Sequence, residues 1–534
     1  MLQTVERLGR PAAPGVAAGP IFLVDRAASR RQPSGDATRE ISDLRAAIAA
    51  AVASIRAVAR RERGDAADIL EFQAAMLEDD ALAVTAVERI AAGIDAATAW
   101  SETIAVHVAD YENAGDEYFR ARVADLRDLH DEVLRHLSGE AATALPEGAV
   151  FAGEDVTPTR FLSVDWTKGG GIALFSGSPS SHVAMLARSR GVPMIVGLGA
   201  FDLAGHAHAI VDGDAGRIVL SPRDTDWSAY ETARRAFAVR QSEEQAVAAR
   251  PATTRDGVPI SVLINVAEPE ELDALDPAIC DGIGLVRTEF LFSRKAGLPN
   301  EDSQYAAYRK IVEWAAPRPV VLRTLDAGGD KPIDGLTVAG ESNPFLGMRG
   351  IRLSLRHPEV FRVQLRAMAR AAVHGNVRIM LPMVTVPEEI DQAAVLLDAA
   401  VAELESEGID CRRPPLGIMV EVPAVAIVPE VFARADFFSI GSNDLTQYVT
   451  ASARDIAAVS DLNDPGHPAV VSLIRNVVHE GARLDRDVSL CGDMGGDPKH
   501  LPALIAAGLR SVSVAPPLVG RAKRAIAAIE AGGR

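Results

Sequence analysis

GIGLVRTEFLF, residues 282–292, places the apolar stretch Ile283 to Val286 directly ahead of Arg287 and Glu289. A short apolar run of this kind suits a strand covered on both faces, and charged side chains where it stops need water or a ligand. The same construction recurs after Val258 as SVLINVAE (261–268), VVLRTLDAGGD (320–330), VRIMLPMVT (377–385), LGIMVEVP (416–423), FFSIGSNDL (437–445), VSLCGDMGGD (488–497) and SVSVAP (511–516). Helical or longer connecting segments separate the runs. Eight strand-helix units in about 280 residues match a TIM (β/α)8 barrel, whose chemistry sits at the C-terminal ends of its strands. Those ends carry Arg287, Glu289, Arg323, Asp326, Glu421, Asn443, Asp444, Cys491 and Asp493.

Working toward the N-terminus, residues 224–250 (beginning DTDWSAYETARRAF) read as a polar helical linker. Before it, GAVFAGED, GIALFSG, PMIVGLG, HAIVDGD and RIVLSP are short strands separated by turn residues. Together with an opening strand near Pro20 to Val24 they predict a compact α/β domain. From Ala37 to Ser138 glycine and proline almost vanish, and Ala, Leu, Glu, Asp and Arg recur at helical spacing, as in ILEFQAAMLEDDALAV. The expected organisation is an α/β domain over 1–36 and 139–223, an inserted α-helical bundle over 37–138, a helical linker over 224–250 and the barrel over 251–534.

Composition narrows the function. The 534 residues are 48% hydrophobic and 24% charged, ordinary for a soluble globular protein. No apolar run spans a bilayer and no secretory signal pattern opens the sequence, which predicts a cytoplasmic protein without membrane insertion. Cys280, Cys411 and Cys491 lie far apart with no CxxC pair, arguing against a disulfide framework and structural zinc. A net charge of −18 and a pI near 5.2 argue against nucleic acid. Between Gly64 and Glu132, 17 Asp or Glu stand against 4 Arg and no Lys, which is either a solvated set of helix faces or an acidic docking surface for a basic partner.

At the barrel mouth Arg287, Arg323 and Arg349, with Arg454 after the sixth strand, form a set suited to a dianion, because the guanidinium fork matches phosphate and carboxylate oxygens. Glu421 and Asp444 add hard oxygen donors at neighbouring strand ends and fit magnesium, which keeps several waters and shares substrate oxygens. The implied ligand is a small phosphorylated acid chelated to magnesium. Cys491 is either a small buried apolar side chain or a thiol facing the ligand as an acid or base. In FSGSPSSHVAMLARSRGVPMIVGLG (175–199), Ser180 or Ser181 can cap a helix that starts at His182. The free amides and positive dipole end beside that imidazole make an anion site for a phosphoryl group, and a neutral imidazole is a competent nucleophile. Arg188 reads as a surface residue.

GSPSSHVAMLARSRGVPMIVGLG, GIGLVRTEFLF, RTLDAGGDK, NPFLGMRG, GIMVEVP, GSNDLTQY and LCGDMGGD together resemble Enzyme I, the phosphoenolpyruvate-protein phosphotransferase family of the bacterial sugar phosphotransferase system, in that family's order and over nearly the whole chain. The resemblance implies that the α/β domain is a swivelling phosphohistidine domain. It implies that His182 accepts the phosphoryl group, that Arg287, Arg323, Arg349, Asn443, Asp444 and Arg454 hold phosphoenolpyruvate, and that Glu421 and Asp444 bind magnesium. It further implies that Cys491 protonates the enolate to give pyruvate, that the helical insertion docks a histidine-containing phosphocarrier protein, and that the barrel forms a homodimer.

The chain departs from the family pattern at Ser178, Ser180 and Val183 around the histidine, at Ala453 before Arg454, and in EFQAAMLEDD, which lacks a histidine. The Val183 change predicts the loss of a hydroxyl near the imidazole. A pyruvate-phosphoenolpyruvate dikinase or synthase would need a nucleotide-grasping domain, for which no residues remain. A barrel lyase acting on magnesium-bound enolates would give the first 250 residues no role. A slow relative acting as a phosphorylation-dependent regulator is the other reading, separable by steady-state transfer to a carrier.

Overall fold

The computed structural model describes residues 4–23, 32–60, 65–78, 80–113, 123–139, 145–177, 179, 181–292, 298–329, 333, 335–338, 341–453 and 459–532. The chain divides into two compact units, Met1–Val239 and Arg240–Arg534.

The first unit is built on strands β1 (Val5–Leu8), β2 (Arg10–Ala13), β3 (Val16–Leu23), β4 (Val150–Gly153), β5 (Gly171–Leu174), β6 (Met194–Val196), β7 (His208–Asp212) and β8 (Arg217–Leu220), in the order β1-β8-β7-β3-β4-β5-β6-β2. β3 to β6 run parallel, while β7, β8, β1 and β2 pair antiparallel at the flanks. Sequence reasoning missed β1 and β2. Both are four-residue edge strands, and Pro11 inside β2 lacks the N–H of an ordinary ladder residue, so neither carries a strand signature.

The parallel neighbours β3 and β4 need a crossover, supplied here by helices Ala37–Ala59, Asp65–Glu78, Asp80–Ala91, Ala96–Asn113 and Val123–Ser138. The first begins where the Asp36 side chain accepts from the Thr38 N–H at 2.9 Å, and it buries Leu44, Ala47, Ala51, Ile55 and Ala59 at helical spacing. Glu40, 3% exposed, accepts from the Ser34 N–H at 2.6 Å and from the Ala96 N–H at 2.9 Å, tying two helix starts together. These helices share one apolar core with the sheet. Leu44, Leu70, Trp100 and Leu129 belong to the same cluster as Phe151, Ile172 and Val196.

A polar knot crosses that core. Gln73 Nε2 donates to Asp125 Oδ1 at 3.0 Å and Asp128 Oδ2 at 3.2 Å, and Thr159 Oγ1 donates to Gln73 Oε1 at 3.0 Å. Burial pushes the Asp128 carboxyl up to about 7, against hydrogen bonds from Thr157 and Thr159.

The second unit is the expected barrel. Strands β10 (Pro259–Val266), β11 (Ile283–Val286), β12 (Pro319–Arg323), β13 (Asn376–Leu381), β14 (Leu416–Val420), β15 (Phe437–Ile440), β16 (Asp487–Leu490) and β17 (Ser511–Val514) pair in parallel in sequence order, and β10 closes the ring on both β11 and β17. β9 (Ala252–Thr253) adds antiparallel to β10. All eight apolar runs therefore form strands. An outer layer of Ile264, Leu322, Phe438 and Leu490 packs on the surrounding helices. Inside the ring, Leu285, Val321, Met380, Met419, Phe437 and Cys491 form a separate apolar cluster. The polar linker is the single helix Asp224–Ala248 with no buried residue. Lys523 Nζ fastens its end by donating to the carbonyls of Ala248, Arg250 and Ile279 at 2.6–2.8 Å.

Candidate active site

β12 ends at Arg323, and the turn beyond it brings Asp326 back under the guanidinium. Arg323 Nη1 lies 3.1 Å from Asp326 Oδ2, and Nη2 donates to Glu289 Oε2 at 3.0 Å. Arg349, which precedes helix Ile351–Arg356, donates through Nε and Nη2 to both Asp326 oxygens at 3.1 Å. It also donates through Nη1 and Nη2 to the Asp444 oxygens at 3.2 and 3.0 Å. Burial alone would favour discharging the two guanidiniums, which are 5% and 2% exposed. Glu289 and Asp326 around Arg323, and Asp326 and Asp444 around Arg349, instead hold both charged above the usual arginine range.

Asp444 lies in the first turn of helix Ser442–Thr450, and Tyr448 follows four residues later on the same face. The Tyr448 hydroxyl accepts from Arg349 Nη1 at 3.4 Å and donates to the Phe345 carbonyl at 2.6 Å, pinning the loop that carries Arg349. Glu421 directly follows β14 and is 1% exposed, with Oε1 accepting from the Met383 N–H at 2.7 Å. Burial, and then the negative charges of Asp444 and Asp326, push its carboxyl up to about 8. Asp444 is thus close enough to Glu421 to oppose its ionisation, and a paired carboxylate donor set of this kind suits a divalent cation.

Cys491 directly follows β16, is 5% exposed, and belongs to the apolar interior cluster. Burial pushes its thiol up to about 11, while a hydrogen bond from Ser439 and the charges of Arg323 and Arg287 pull it down. Asn443 Nδ2 donates to Asp493 Oδ2 at 3.0 Å, and the Asp493 N–H returns the bond to Asn443 Oδ1 at 3.0 Å, joining the loops after β15 and β16. Between them, a Cβ on Gly492 would stand 1.9 Å from Ser442 Oγ, so only glycine fits there.

The structure therefore brings together Arg323, Arg349, Glu421 and Asp444, with Cys491 within electrostatic reach of Arg323 and Arg287. Arg287 is exposed at the end of β11, and Asn443 is engaged with Asp493. Arg454 lies outside the described residues, as do Lys331, Ser178 and Ser180. Sequence reasoning placed Asp326 and Glu289 at strand ends without assigning them a role. Asp326 carries one local signal, its place three residues after Arg323, whereas Glu289 is 34 residues from the arginine it meets and carries none.

His182 belongs to the other unit, as the first residue of helix His182–Arg190. Of the two candidate caps, Ser181 acts: its Oγ accepts from the Ala184 N–H at 3.2 Å. Gly191 closes the helix in the left-handed region. Val183 is 5% exposed within the core shared by helices and sheet, so its side chain supports the helix from below. The exposed Arg188 donates through Nη1 to the carbonyls of Ala12 and Pro179 at 2.7 and 2.8 Å, holding the turn ahead of the histidine.

Three family profiles match the chain: the N-terminal domain of PEP-utilising enzymes at residues 8–122, their mobile domain at 145–216 and their PEP-binding domain at 241–531. A phosphoenolpyruvate-protein phosphotransferase of Geobacillus stearothermophilus is 36% identical over 91% of this chain and 86% of its own length. Proteins of the same name from Priestia megaterium and Staphylococcus aureus are 33% and 34% identical, over 98% and 97% of this chain and 94% and 93% of theirs. Barrel, site and relatives agree: the chain belongs to the phosphoenolpyruvate-protein phosphotransferases, a family of PEP-utilising enzymes.

Proposed function

We propose that the chain moves the phosphoryl group of phosphoenolpyruvate to His182 and then to a histidine-containing phosphocarrier protein, releasing pyruvate. The observation that carries this reading is Arg349, a buried guanidinium gripped by both Asp326 and Asp444 beside Arg323. Its charge is fixed in place before any ligand arrives, as electrostatic stabilisation of phosphoryl transfer requires. Arg287, Arg323, Arg349 and Arg454 bind phosphate and carboxylate oxygens, and Asn443 orients the substrate. Glu421 and Asp444 would hold magnesium, which when bound neutralises the charge crowded on the carboxylates and on the substrate.

His182 reaches the mouth with its neutral imidazole, the enol P–O bond breaks and an N–P bond forms. The helix amides behind His182 receive the charged group. The enolate left at the mouth takes the Cys491 proton on carbon: the S–H bond breaks, a C–H bond forms and the ketone of pyruvate results. A thiol that burial keeps protonated at neutral pH is suited to that step. The acidic helices of the first unit suit a basic carrier surface, and association of two chains through their barrels belongs to the same reading.

The test is incubation with radiolabelled phosphoenolpyruvate and magnesium. An acid-labile, base-stable label on His182, lost in His182→Ala, is expected; label that persists in His182→Ala defeats the assignment. Multiple turnovers onto added carrier separate this enzyme from a relative that is phosphorylated once and stalls.

A further inference from the structure

Inside the barrel Cys491 lies between an apolar cluster and two serine hydroxyls. Against it lie Leu285, Val321, Met380, Met419 and Phe437, none of which carries a proton to give. On the other side Ser439 Oγ donates to Cys491 Sγ at 3.4 Å, and Ser489 Oγ donates to Ser439 Oγ at 3.2 Å. Strand alternation explains the row. Ser439 and Ser489 are register partners in β15 and β16, and Asp487, Ser489 and Cys491 point the same way at spacings of two. Ser439 is fully buried, Ser489 is half-buried, and Asp487 at the start of β16 is 73% exposed in its ion pair with Arg378. The hydroxyls thus run from the buried thiol toward the strand-start face of the barrel, away from the mouth.

We propose that Ser489 and Ser439 form a proton path through the barrel interior that recharges the Cys491 thiolate after each turnover, and that Ser439 is the positioning residue that orients this sulfur. The inference rests on the reading of Cys491 as the acid that protonates the enolate. That step leaves a thiolate in a pocket whose mouth is filled by product. The Ser439 O–H then shifts its proton to sulfur as Ser489 gives its own to Ser439 and a solvent proton replaces it at Ser489. One solvent proton enters for each C–H bond formed, and no other reactant is consumed. At rest the thiol donates to the Ile440 carbonyl at 3.7 Å while accepting from Ser439, so two contacts hold the sulfur below the mouth.

The experiment reads the proton step alone, as exchange of pyruvate methyl hydrogens with D2O, followed by NMR on the full chain with magnesium. Cys491→Ala is expected to abolish exchange; exchange that persists sinks the acid assignment itself. With that control in place, Ser439→Ala is expected to slow exchange about tenfold, as for a lost hydrogen bond to a charged partner. It should also move the thiol limb of the pH profile upward, because the bond that favours the thiolate is gone. Ser439→Thr, which keeps a hydroxyl, should restore both, and Ser489→Ala should slow exchange without moving the limb. Radiolabelling of His182 by phosphoenolpyruvate should be unchanged in the serine variants. Exchange and pH profile indistinguishable from the unmodified protein in Ser439→Ala would overturn the path while leaving Cys491 as the acid. A loss in Ser439→Ala that Ser439→Thr does not rescue would reduce Ser439 to a packing role and overturn it equally.

Discussion

Replacing Asp326 with alanine is the sharpest test of how the mouth is held. Its carboxylate is fully buried and receives Arg349 through two nitrogens at 3.1 Å and Arg323 through Nη1 at 3.1 Å. The variant strands part of that positive charge, leaving Arg349 with Asp444 and Arg323 with Glu289. Breaking a buried pair from one side while such partners remain costs about 3 kcal/mol, the low end for buried pairs. With a urea dependence of about 3 kcal/mol per M for a unit of this size, the barrel midpoint should fall by about 1 M. Unfolding should be followed by hydrogen exchange of peptides covering β12 and β13, with β3 and β4 as an internal control, because the two units need not unfold together. Asp326→Ala/Arg349→Met should recover part of the loss, since it removes the stranded charge along with its partner. A cost below about 1 kcal/mol, or an equal shift in the control peptides, would refute the view that Asp326 is the keystone of the two arginines.

Three shorter expectations follow from other sites. The folded Asp128 carboxyl keeps its proton up to about pH 7 against an ordinary aspartate value of 3.8, so the folded state binds the extra proton between those values. Its contribution is complete below 3.8, is lost as pH rises from there through 7, about 4 kcal/mol in all, and is absent above; denaturation of the first unit from about pH 4 to 8 should show this slope, and Asp128→Asn should flatten it. Ser181→Ala removes the cap ahead of His182 and should cost about 1 kcal/mol of local stability. His182 labelling should slow with it and recover in Ser181→Asn. Gly492→Ala pushes a methyl into Ser442 and displaces Cys491, so pyruvate formation should drop about a hundredfold; normal turnover would show that the loop has slack.

The barrel was legible because each strand is a short apolar run with polar residues stacked at one end, a pattern that survives without knowledge of any contact. The helix starting at His182 was legible for a similar reason, since a cap residue and a terminal glycine are local signals. What stayed hidden depended on distance along the chain. Asp326 and Arg349 are 23 residues apart and Arg349 and Asp444 are 95 apart, so spacing could not say which carboxylate holds which arginine. The burial of Val183 stayed hidden for a different reason. Read only as a lost hydroxyl after the histidine, it is also a core residue, because the position after His182 packs into the cluster shared by helices and sheet. The strands β1 and β2 escaped notice because edge strands need no alternating pattern.

The apolar interior that runs without a break from the crossover helices into the sheet has a genetic consequence. Two of the matched sequence families meet within it, so cutting one away uncovers apolar side chains of the other. A recombination event that exchanged one segment alone would expose Trp100 or Phe151 and leave a sticky fragment. Residues 8 to 216 are therefore expected to travel as a single heirloom when parts of this protein are exchanged.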